Sequence, residues 1–171
     1  AEELPEGGAP LPVRLLGEDL VLFRDESGRP GLLGLHCSHR GAELSYGRIE
    51  DGGLRCIYHG WLYDVSGRCI EQPAEPEGSV FHEKIHHLAY PCQDVAGVVF
   101  AYLGPEEPPL LPAYEFLTAP PEFRAVSKAF YDCSYLQGNE GNHDPSHQSY
   151  LHSILDGRGY TAMDRSPTIE T

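Results

Sequence analysis

Basic side chains are scarce in this sequence. Of its 171 residues, 12 are Lys or Arg against 26 Asp or Glu, and the formal net charge is −14. A surface that binds DNA or RNA needs clustered positive charge, because binding releases the counterions of the phosphates. The sequence contains no such cluster, so we expect no nucleic-acid partner. The acidity favours a role in solubility, or docking to a basic protein.

Long hydrophobic runs are also missing. A membrane-spanning helix needs about 20 consecutive apolar residues, and no comparable run occurs, so we expect no membrane segment. The first twelve residues, AEELPEGGAPLP, lack the basic start and apolar core of a secretory signal peptide. Five cysteines is an odd number for a disulfide framework, and two of them stand beside histidines. These features predict a cytoplasmic protein in a reducing compartment.

Glycine and proline, by contrast, are abundant, with 19 and 15 residues. They separate short runs of apolar residues, a pattern that predicts short strands joined by turns. Residues 13–23 predict two strands around a turn at Gly17–Asp19, and Asp51-Gly52-Gly53 is a hairpin signal. We therefore expect a mainly β fold, with a small antiparallel β-domain over residues 1–104.

The strand pattern breaks at residues 105–121, where prolines recur. Proline cannot donate a hydrogen bond to a central strand, so this segment is predicted to be a linker. Residues 122–171 then form a second region. Within it we expect a strand over residues 123–135 and an irregular helix over residues 136–155, the beginning of an α+β domain.

Two Cys–His pairs stand out in the first region. LHCSHRG contains Cys37 and His39, and CIYHGW contains Cys56 and His59, with sixteen residues between the pairs. Chance, tetrahedral zinc and an iron–sulfur cluster with mixed ligands are all compatible with two thiols and two imidazoles. Zinc fingers usually pair Cys with Cys and His with His along the chain, whereas each segment here carries one of each. That interleaving favours two irons, one bound by both cysteines and the other by both histidines.

The pattern C-x-H, sixteen residues, C-x-x-H, followed by GW, closely resembles the Rieske domain of ring-hydroxylating oxygenases. The resemblance implies a [2Fe–2S] cluster held by Cys37, His39, Cys56 and His59, and a reductase or ferredoxin as electron donor. Because two imidazoles replace two thiolates, the reduction potential of such a cluster rises to roughly −150 to +300 mV.

Several neighbours of these pairs have expected roles. Ser38 and Tyr58 can donate hydrogen bonds to cluster or cysteine sulfurs, or can simply pack in their loops. Trp61 is expected in the core. Cys69, Cys92 and Cys133 have no histidine at ligand spacing and are expected to be buried as small hydrophobic residues. His82, His86 and His87 are expected to be solvated or structural.

The segment NEGNHDPSHQSYLH forms the second constellation. On a helix, Glu140, Asp144 and His147 lie on one face, while His147 and His152 need a bulge to reach one metal. Imidazole with carboxylate suits iron(II) with open coordination positions. A surface helix with exposed histidines is the alternative.

Within this segment, D-x-x-H-x-x-x-x-H resembles the mononuclear-iron motif of the same oxygenases, most closely in their phthalate and phenoxybenzoate branch. The resemblance implies that His147 and His152 bind Fe(II). It also implies that Asp144 bridges this iron to a Rieske histidine, here His59, of a neighbouring subunit, and hence a homo-oligomer, expected to be a trimer. The family's third ligand, a distant downstream aspartate, has no counterpart before Thr171, so the chain is expected to be a fragment that truncates the catalytic domain.

The resemblance therefore implies the oxygenase component of an aromatic ring-hydroxylating enzyme. It would use O2 and reductase-derived electrons to hydroxylate or O-demethylate an aromatic compound. Two other classes stay open at this point. A stand-alone Rieske ferredoxin would need residues 1–104 only, and a zinc-binding interaction module would need only the two Cys–His pairs.

Overall fold

The computed structural model describes residues 3–126 and 128–147, together with the backbone of two later strands at residues 154–155 and 160–161. The chain divides into two units, Ala1–Arg124 and Ala125–Thr171. Strands make up most of the regular structure of the first unit, which confirms the predicted mainly β fold. Within the described residues, no helix has both the length and the apolar character that crossing a bilayer requires.

Ten short strands form the first unit. In chain order they are β1 (Leu11–Leu15), β2 (Glu18–Arg24), β3 (Pro30–Gly34), β4 (Arg48–Glu50), β5 (Gly53–Arg55), β6 (Leu62–Tyr63), β7 (Cys69–Glu71), β8 (Ala89–Tyr90), β9 (Cys92–Val95) and β10 (Val98–Ala101). One antiparallel sheet has the order β1-β2-β3-β8 and a second has the order β4-β5-β6-β7, while β9 and β10 form a separate hairpin.

Left-handed turn residues fix the register of the two predicted hairpins. Leu16 and Gly17 join β1 to β2 with φ of 51° and 90°, and Asp51 and Gly52 join β4 to β5 with φ of 52° and 79°. Two consecutive positive φ values match the twist of antiparallel strands, which is why such turns close two-residue hairpins. Both sequence predictions are confirmed in position, the first within one or two residues.

One hydrophobic cluster contains side chains from both sheets. Phe23 and Leu33 come from the first sheet and Leu54 and Tyr63 from the second, and all four are fully buried. Burying a large apolar side chain contributes about 1.5–3 kcal/mol. The candidate cysteines Cys37 and Cys56, together with Trp61, belong to the same cluster. The core of this domain therefore extends directly to the Cys–His segments.

Helical segments are short in the described residues. The first unit contains 3₁₀ turns at Leu44–Tyr46, Phe81–Lys84 and Pro121–Phe123 and helix α1 (Glu115–Thr118). In the second unit α2 (Tyr135–His143) begins after Ser134, whose side chain accepts a hydrogen bond from the Gln137 N–H. The antiparallel pair β11 (Ile154–Leu155) and β12 (Tyr160–Thr161) follows.

Two predictions for the second unit are wrong in part. The helix expected over residues 136–155 ends at His143, and Ile154–Leu155 is a strand. Pro145 explains the early end, because proline disfavours helical dihedrals at the residue before it, and Asp144 accordingly has φ −90° and ψ 103°. The strand expected over residues 123–135 does not form in the described residues, since no described neighbour supplies the inter-strand hydrogen bonds that a strand needs.

We expect Gly67→Ala to destabilise the first unit by about 2–4 kcal/mol. Gly67 has φ +81°, and a Cβ there would lie 2.3 Å from the His87 carbonyl oxygen. Gly78 is a matched control, with φ +83° and no atom within 4 Å of the added Cβ. Gly78→Ala should cost only the left-handed strain, about 1–2 kcal/mol. Urea unfolding measures both values, and equal destabilisation by the two variants would contradict the packing argument.

Candidate metal centre

The two Cys–His segments fold into the same kind of turn. In the first, the N–H of Cys37 donates to Ala42 O (2.9 Å) and Gly41 N–H donates to Cys37 O (2.9 Å). In the second, the N–H of Cys56 donates to Trp61 O (2.9 Å) and Gly60 N–H donates to Cys56 O (3.1 Å). We call these the first loop, residues 37–42, and the second loop, residues 56–61. Each cysteine thus begins a loop that a glycine closes four residues later.

Glycine is needed at these closing positions. Gly41 has φ +69° and Gly60 has φ +75°, the left-handed region that residues with a Cβ rarely adopt. At Gly60 a Cβ would also approach the Pro73 ring to 3.0 Å. A buried arginine supports the second loop, because Arg55 donates to Gly60 O at 2.8 Å and to the Glu71 carboxylate at 2.7 Å. The second loop is therefore tied to β5 and β7.

The loops bring the four predicted ligands together as two pairs. Cys37 and Cys56 are 3% and 2% exposed, and Cys56 lies near enough to raise the pKa of the Cys37 thiol. His39 and His59 form the second pair, with ring centroids 4.5 Å apart in an edge-to-face arrangement. Sulfur therefore pairs with sulfur and nitrogen with nitrogen, although each loop contributes one of each.

The electrostatics favour the neutral forms of Cys37 and His39, one residue of each pair. Burial raises the pKa of the Cys37 thiol, and the neighbouring Cys56 raises it further, against hydrogen bonds from Tyr63 and the His39 backbone. Burial lowers the pKa of His39, as do the adjacent His59 and Arg40. A neutral imidazole is ready to bind a metal, whereas a thiol must lose its proton on binding.

The donor set fits a two-iron cluster better than a single zinc. Nδ1 of His39 is buried and has no hydrogen-bond partner among the described residues. Buried polar atoms are nearly always paired, so an unpaired imidazole nitrogen at this point is what an absent metal would leave. Zinc requires four donors around one ion, and the described residues contain no metal-binding group of three or more such side chains. Two protein donors per iron match the [2Fe–2S] arrangement, in which sulfide supplies the other ligands.

Aromatic rings hold the histidine pair. The Trp61 ring stacks on His39 at 4.6 Å with an interplanar angle of 5°, and the Tyr58 ring packs on His59 at 3.8 Å. Trp61 lies in the core, as predicted. Tyr58 is 62% exposed, and its contribution in the structure is this ring contact.

A hydrogen bond that the sequence interpretation missed reaches Cys37. The hydroxyl of Tyr63, fully buried, lies 3.2 Å from Cys37 Sγ. Burial raises the pKa of Tyr63, and so does the Cys37 contact, so the phenol stays protonated and can donate to a thiolate. The spacing W-x-Y could have indicated that Tyr63 is buried near the site. Residues two apart in an extended chain point to the same side, which places Tyr63 on the side of Trp61. The Ser38 hydroxyl, for which a hydrogen bond to sulfur and simple loop packing were both open, bonds to His87 Nδ1 at 2.7 Å.

The remaining cysteines differ from one another. All five cysteines are free thiols. Cys69 is buried as predicted, and burial raises its pKa. Cys92 is half-buried, and burial raises its pKa to about 11. The expectation of burial is wrong for Cys133, which is exposed because its segment forms neither strand nor helix.

The second constellation is only partly described. Asp144 directly follows α2, and its Oδ2 lies 3.2 Å from His147 Nδ1. The N–H of Ser146 donates to Asp144 Oδ1 at 2.8 Å, and this bond and the His147 contact lower the pKa of Asp144. Because α2 ends at His143, the helical face predicted to join Glu140 to Asp144 and His147 does not extend that far. His152 lies outside the described residues.

Two glycine-closed Cys–His loops on a small antiparallel β-domain, with thiols and imidazoles separated into two pairs, define a Rieske-type iron–sulfur domain. Comparison with known families agrees, because the profile of the Rieske [2Fe-2S] domain matches residues 1–94. The chain belongs to this family.

Known proteins resemble the chain beyond that domain. It is 45% identical over 163 residues to phenoxybenzoate dioxygenase subunit alpha of Ectopseudomonas oleovorans, covering 86% of this chain and 40% of the relative. A crystal structure of dicamba monooxygenase bound to dicamba superposes with a TM-score of 0.75 at 27% identity, covering 92% of this chain and 48% of that one. The oxygenase in a reduced oxygenase–ferredoxin complex of carbazole 1,9a-dioxygenase matches at 33% identity with a TM-score of 0.57, covering 68% and 30%. The chain thus spans less than half the length of these proteins.

Tyr63→Phe should lower the reduction potential of the reconstituted chain by tens of millivolts. The phenol O–H stabilises negative charge on Cys37 Sγ, and the reduced state carries one more electron, so its loss disfavours reduction. Protein-film voltammetry measures the potential. Tyr58→Phe removes an exposed hydroxyl from a ring that contacts His59, and it serves as the matched control. An unchanged potential in Tyr63→Phe would contradict the assigned hydrogen bond.

Proposed function

We propose that this chain is the electron-entry part of a Rieske oxygenase component. It takes electrons from a reductase or ferredoxin through a [2Fe–2S] cluster to a mononuclear iron(II) site, where O2 is activated to hydroxylate or O-demethylate an aromatic compound. The observation that carries the proposal is the pairing of Cys37 with Cys56 and of His39 with His59, on two loops that share one backbone hydrogen-bond pattern. The relatives are oxygenases, which supports the proposed transfer of electrons to a mononuclear iron(II) site and the activation of O2 there.

The four loop residues have distinct roles in this proposal. Cys37 and Cys56 hold one iron and His39 and His59 the other, and the bound cluster supplies reversible one-electron transfer. The polypeptide excludes water from the thiol pair by burying it in the core. The stacked Trp61 ring orients the His39 imidazole.

The second unit contributes the start of the mononuclear-iron site. Residues 1–104 are proposed as the Rieske domain, 105–121 as a linker and 122–171 as the beginning of the catalytic domain. His147 and His152 are proposed iron ligands, supported by the D-x-x-H-x-x-x-x-H motif. Asp144 is proposed as the carboxylate that bridges to His59 of a neighbouring subunit. Its ionised state, favoured by the Ser146 N–H and His147, suits a hydrogen-bond acceptor between two imidazoles.

The proposed function also implies an electron donor and partner subunits. The carbazole oxygenase complex contains a ferredoxin, which supports a ferredoxin or reductase donor for this chain. A bridge between subunits requires a closed homo-oligomer, for which we propose a trimer. We also propose that the protein works in the cytoplasm, where reduced flavoproteins are available. A stand-alone electron carrier is not favoured, because similarity to an oxygenase alpha subunit covers 86% of the chain, well past residue 104.

The 171-residue chain, reconstituted anaerobically with iron and sulfide, should turn red-brown. Iron and acid-labile sulfide should be bound in equal amounts, and the reduced state should be paramagnetic. Cys56→Ser should abolish the colour, whereas Cys133→Ser, a change at an exposed thiol, should leave it unchanged. A colourless chain that binds zinc tightly and no sulfide would refute the proposal.

Asp144→Asn in the full-length oxygenase should leave the visible spectrum intact and lower product formation by about 10- to 100-fold or more. The amide keeps the shape of the side chain but loses the charge that accepts hydrogen bonds from two imidazoles. Coupled oxygen-uptake and product assays measure the effect. His143→Asn, one residue earlier at the exposed end of α2, is the control. Normal turnover in Asp144→Asn would remove the bridge from the scheme.

A further inference from the structure

His87 is a buried histidine to which the proposed function gives no role. It is 7% exposed, whereas the adjacent His86 is exposed. Its backbone N–H donates to Gly67 O at 2.7 Å, which fixes the main chain just before β8. A side chain so enclosed must direct both ring nitrogens to partners within the protein.

Both ring nitrogens of His87 have such partners. Nε2 lies 2.8 Å from Gly34 O, at the end of β3. A carbonyl oxygen can only accept, so Nε2 carries the hydrogen. Burial lowers the pKa of His87, which leaves the ring neutral with Nδ1 as an acceptor. Nδ1 lies 2.7 Å from the Ser38 hydroxyl, so Ser38 donates its one hydrogen to His87.

We propose that His87 is a positioning residue for the first loop, which accepts the Ser38 hydroxyl hydrogen and so withholds it from the cluster. The inference rests on the proposed function, since Ser38 stands between the proposed ligands Cys37 and His39. In this arrangement the hydrogen-bond chain runs from Gly34 O through the His87 ring to Ser38. It fastens the Ser38 side chain of the first loop to the Gly34 carbonyl at the end of β3.

The consequence concerns the electron affinity of the cluster. A hydroxyl that donates to a cluster or cysteine sulfur stabilises the more negative, reduced state and raises the potential. Ser38 directly follows Cys37 in the chain, but its hydroxyl hydrogen is donated to His87 Nδ1. Tyr63 then remains the side-chain hydroxyl that contacts Cys37. The His87 ring also packs on the Tyr63 ring, with centroids 4.8 Å apart. His87 therefore contacts both of these hydroxyl-bearing residues, Ser38 and Tyr63.

A double-mutant cycle tests the inference in the reconstituted chain. His87→Leu removes the acceptor and should raise the reduction potential, because the Ser38 hydrogen becomes free to reach sulfur. Ser38→Ala should stay near the wild-type potential, and Ser38→Ala combined with His87→Leu should return to the Ser38→Ala value. His87→Gln retains an acceptor and a donor and should stay close to wild type. His86→Gln is the matched control at the exposed neighbour.

Three results would overturn the inference. The first is a potential shift in His87→Leu that persists without the Ser38 hydroxyl, since His87 would then act by packing alone. The second is a lowered potential in Ser38→Ala alone, which would mean that the hydroxyl already donates to sulfur. The third is an unchanged potential in a His87→Leu chain that binds the cluster normally.

A further measurement needs no variant at His87 and covers the case in which His87→Leu does not fold. Long-range ¹⁵N–¹H NMR of the wild-type chain should show His87 in the Nε2-protonated tautomer, and an Nδ1-protonated ring would contradict the assignment. Iron and labile-sulfide content, measured on the same sample, report on the proposed function by themselves. A chain that binds no cluster but shows the expected tautomer would refute the proposed function and would leave the assigned His87–Ser38 hydrogen bond standing.

Discussion

Two buried thiols held side by side are the constraint on which the first unit depends. Cys37 and Cys56 lie in the hydrophobic core, where burial and the neighbouring Cys56 raise the pKa of the Cys37 thiol. Both loops are closed by glycines with positive φ. Such a pair is stable as neutral thiols and becomes a pair of thiolates when a cation compensates the charge. The packing thus suits the binding of a cation by this pair.

The thiol pair and the imidazole pair have different surroundings. Sulfur is buried against the sheets, where the Tyr63 hydroxyl is hydrogen-bonded to Cys37, while the imidazoles contact the aromatic rings of Trp61 and Tyr58. Arg55 and His87 work one step further out, since each ties a loop to a strand end through a backbone carbonyl. The positions of the proposed ligands therefore depend on groups outside the proposed ligand set, as is usual for metal sites.

In the second unit, a proline ends the helix that the spacing of the motif had predicted. The sequence of the Asp144–His152 segment suggested a single bent helix, but Pro145 forces Asp144 out of the helical region. The resulting turn brings Asp144 next to His147 more directly than a helical face would. The contact between the first two defined residues of this motif is thus made by a turn that follows a short helix.

The sequence by itself determined the class of the protein and predicted its ligand set, because C-x-H and C-x-x-H segments with glycine after them leave few chemical solutions. It also determined the two hairpin turns with positive φ, because Gly17 and Asp51-Gly52 favour these turn conformations through local backbone sterics. Only the tertiary structure decided which groups reach the ligands from elsewhere in the chain. Tyr63 lies 26 residues from Cys37, and His87 lies 49 residues from Ser38. Contacts between such distant residues arise from the packing of two sheets, which no local pattern encodes.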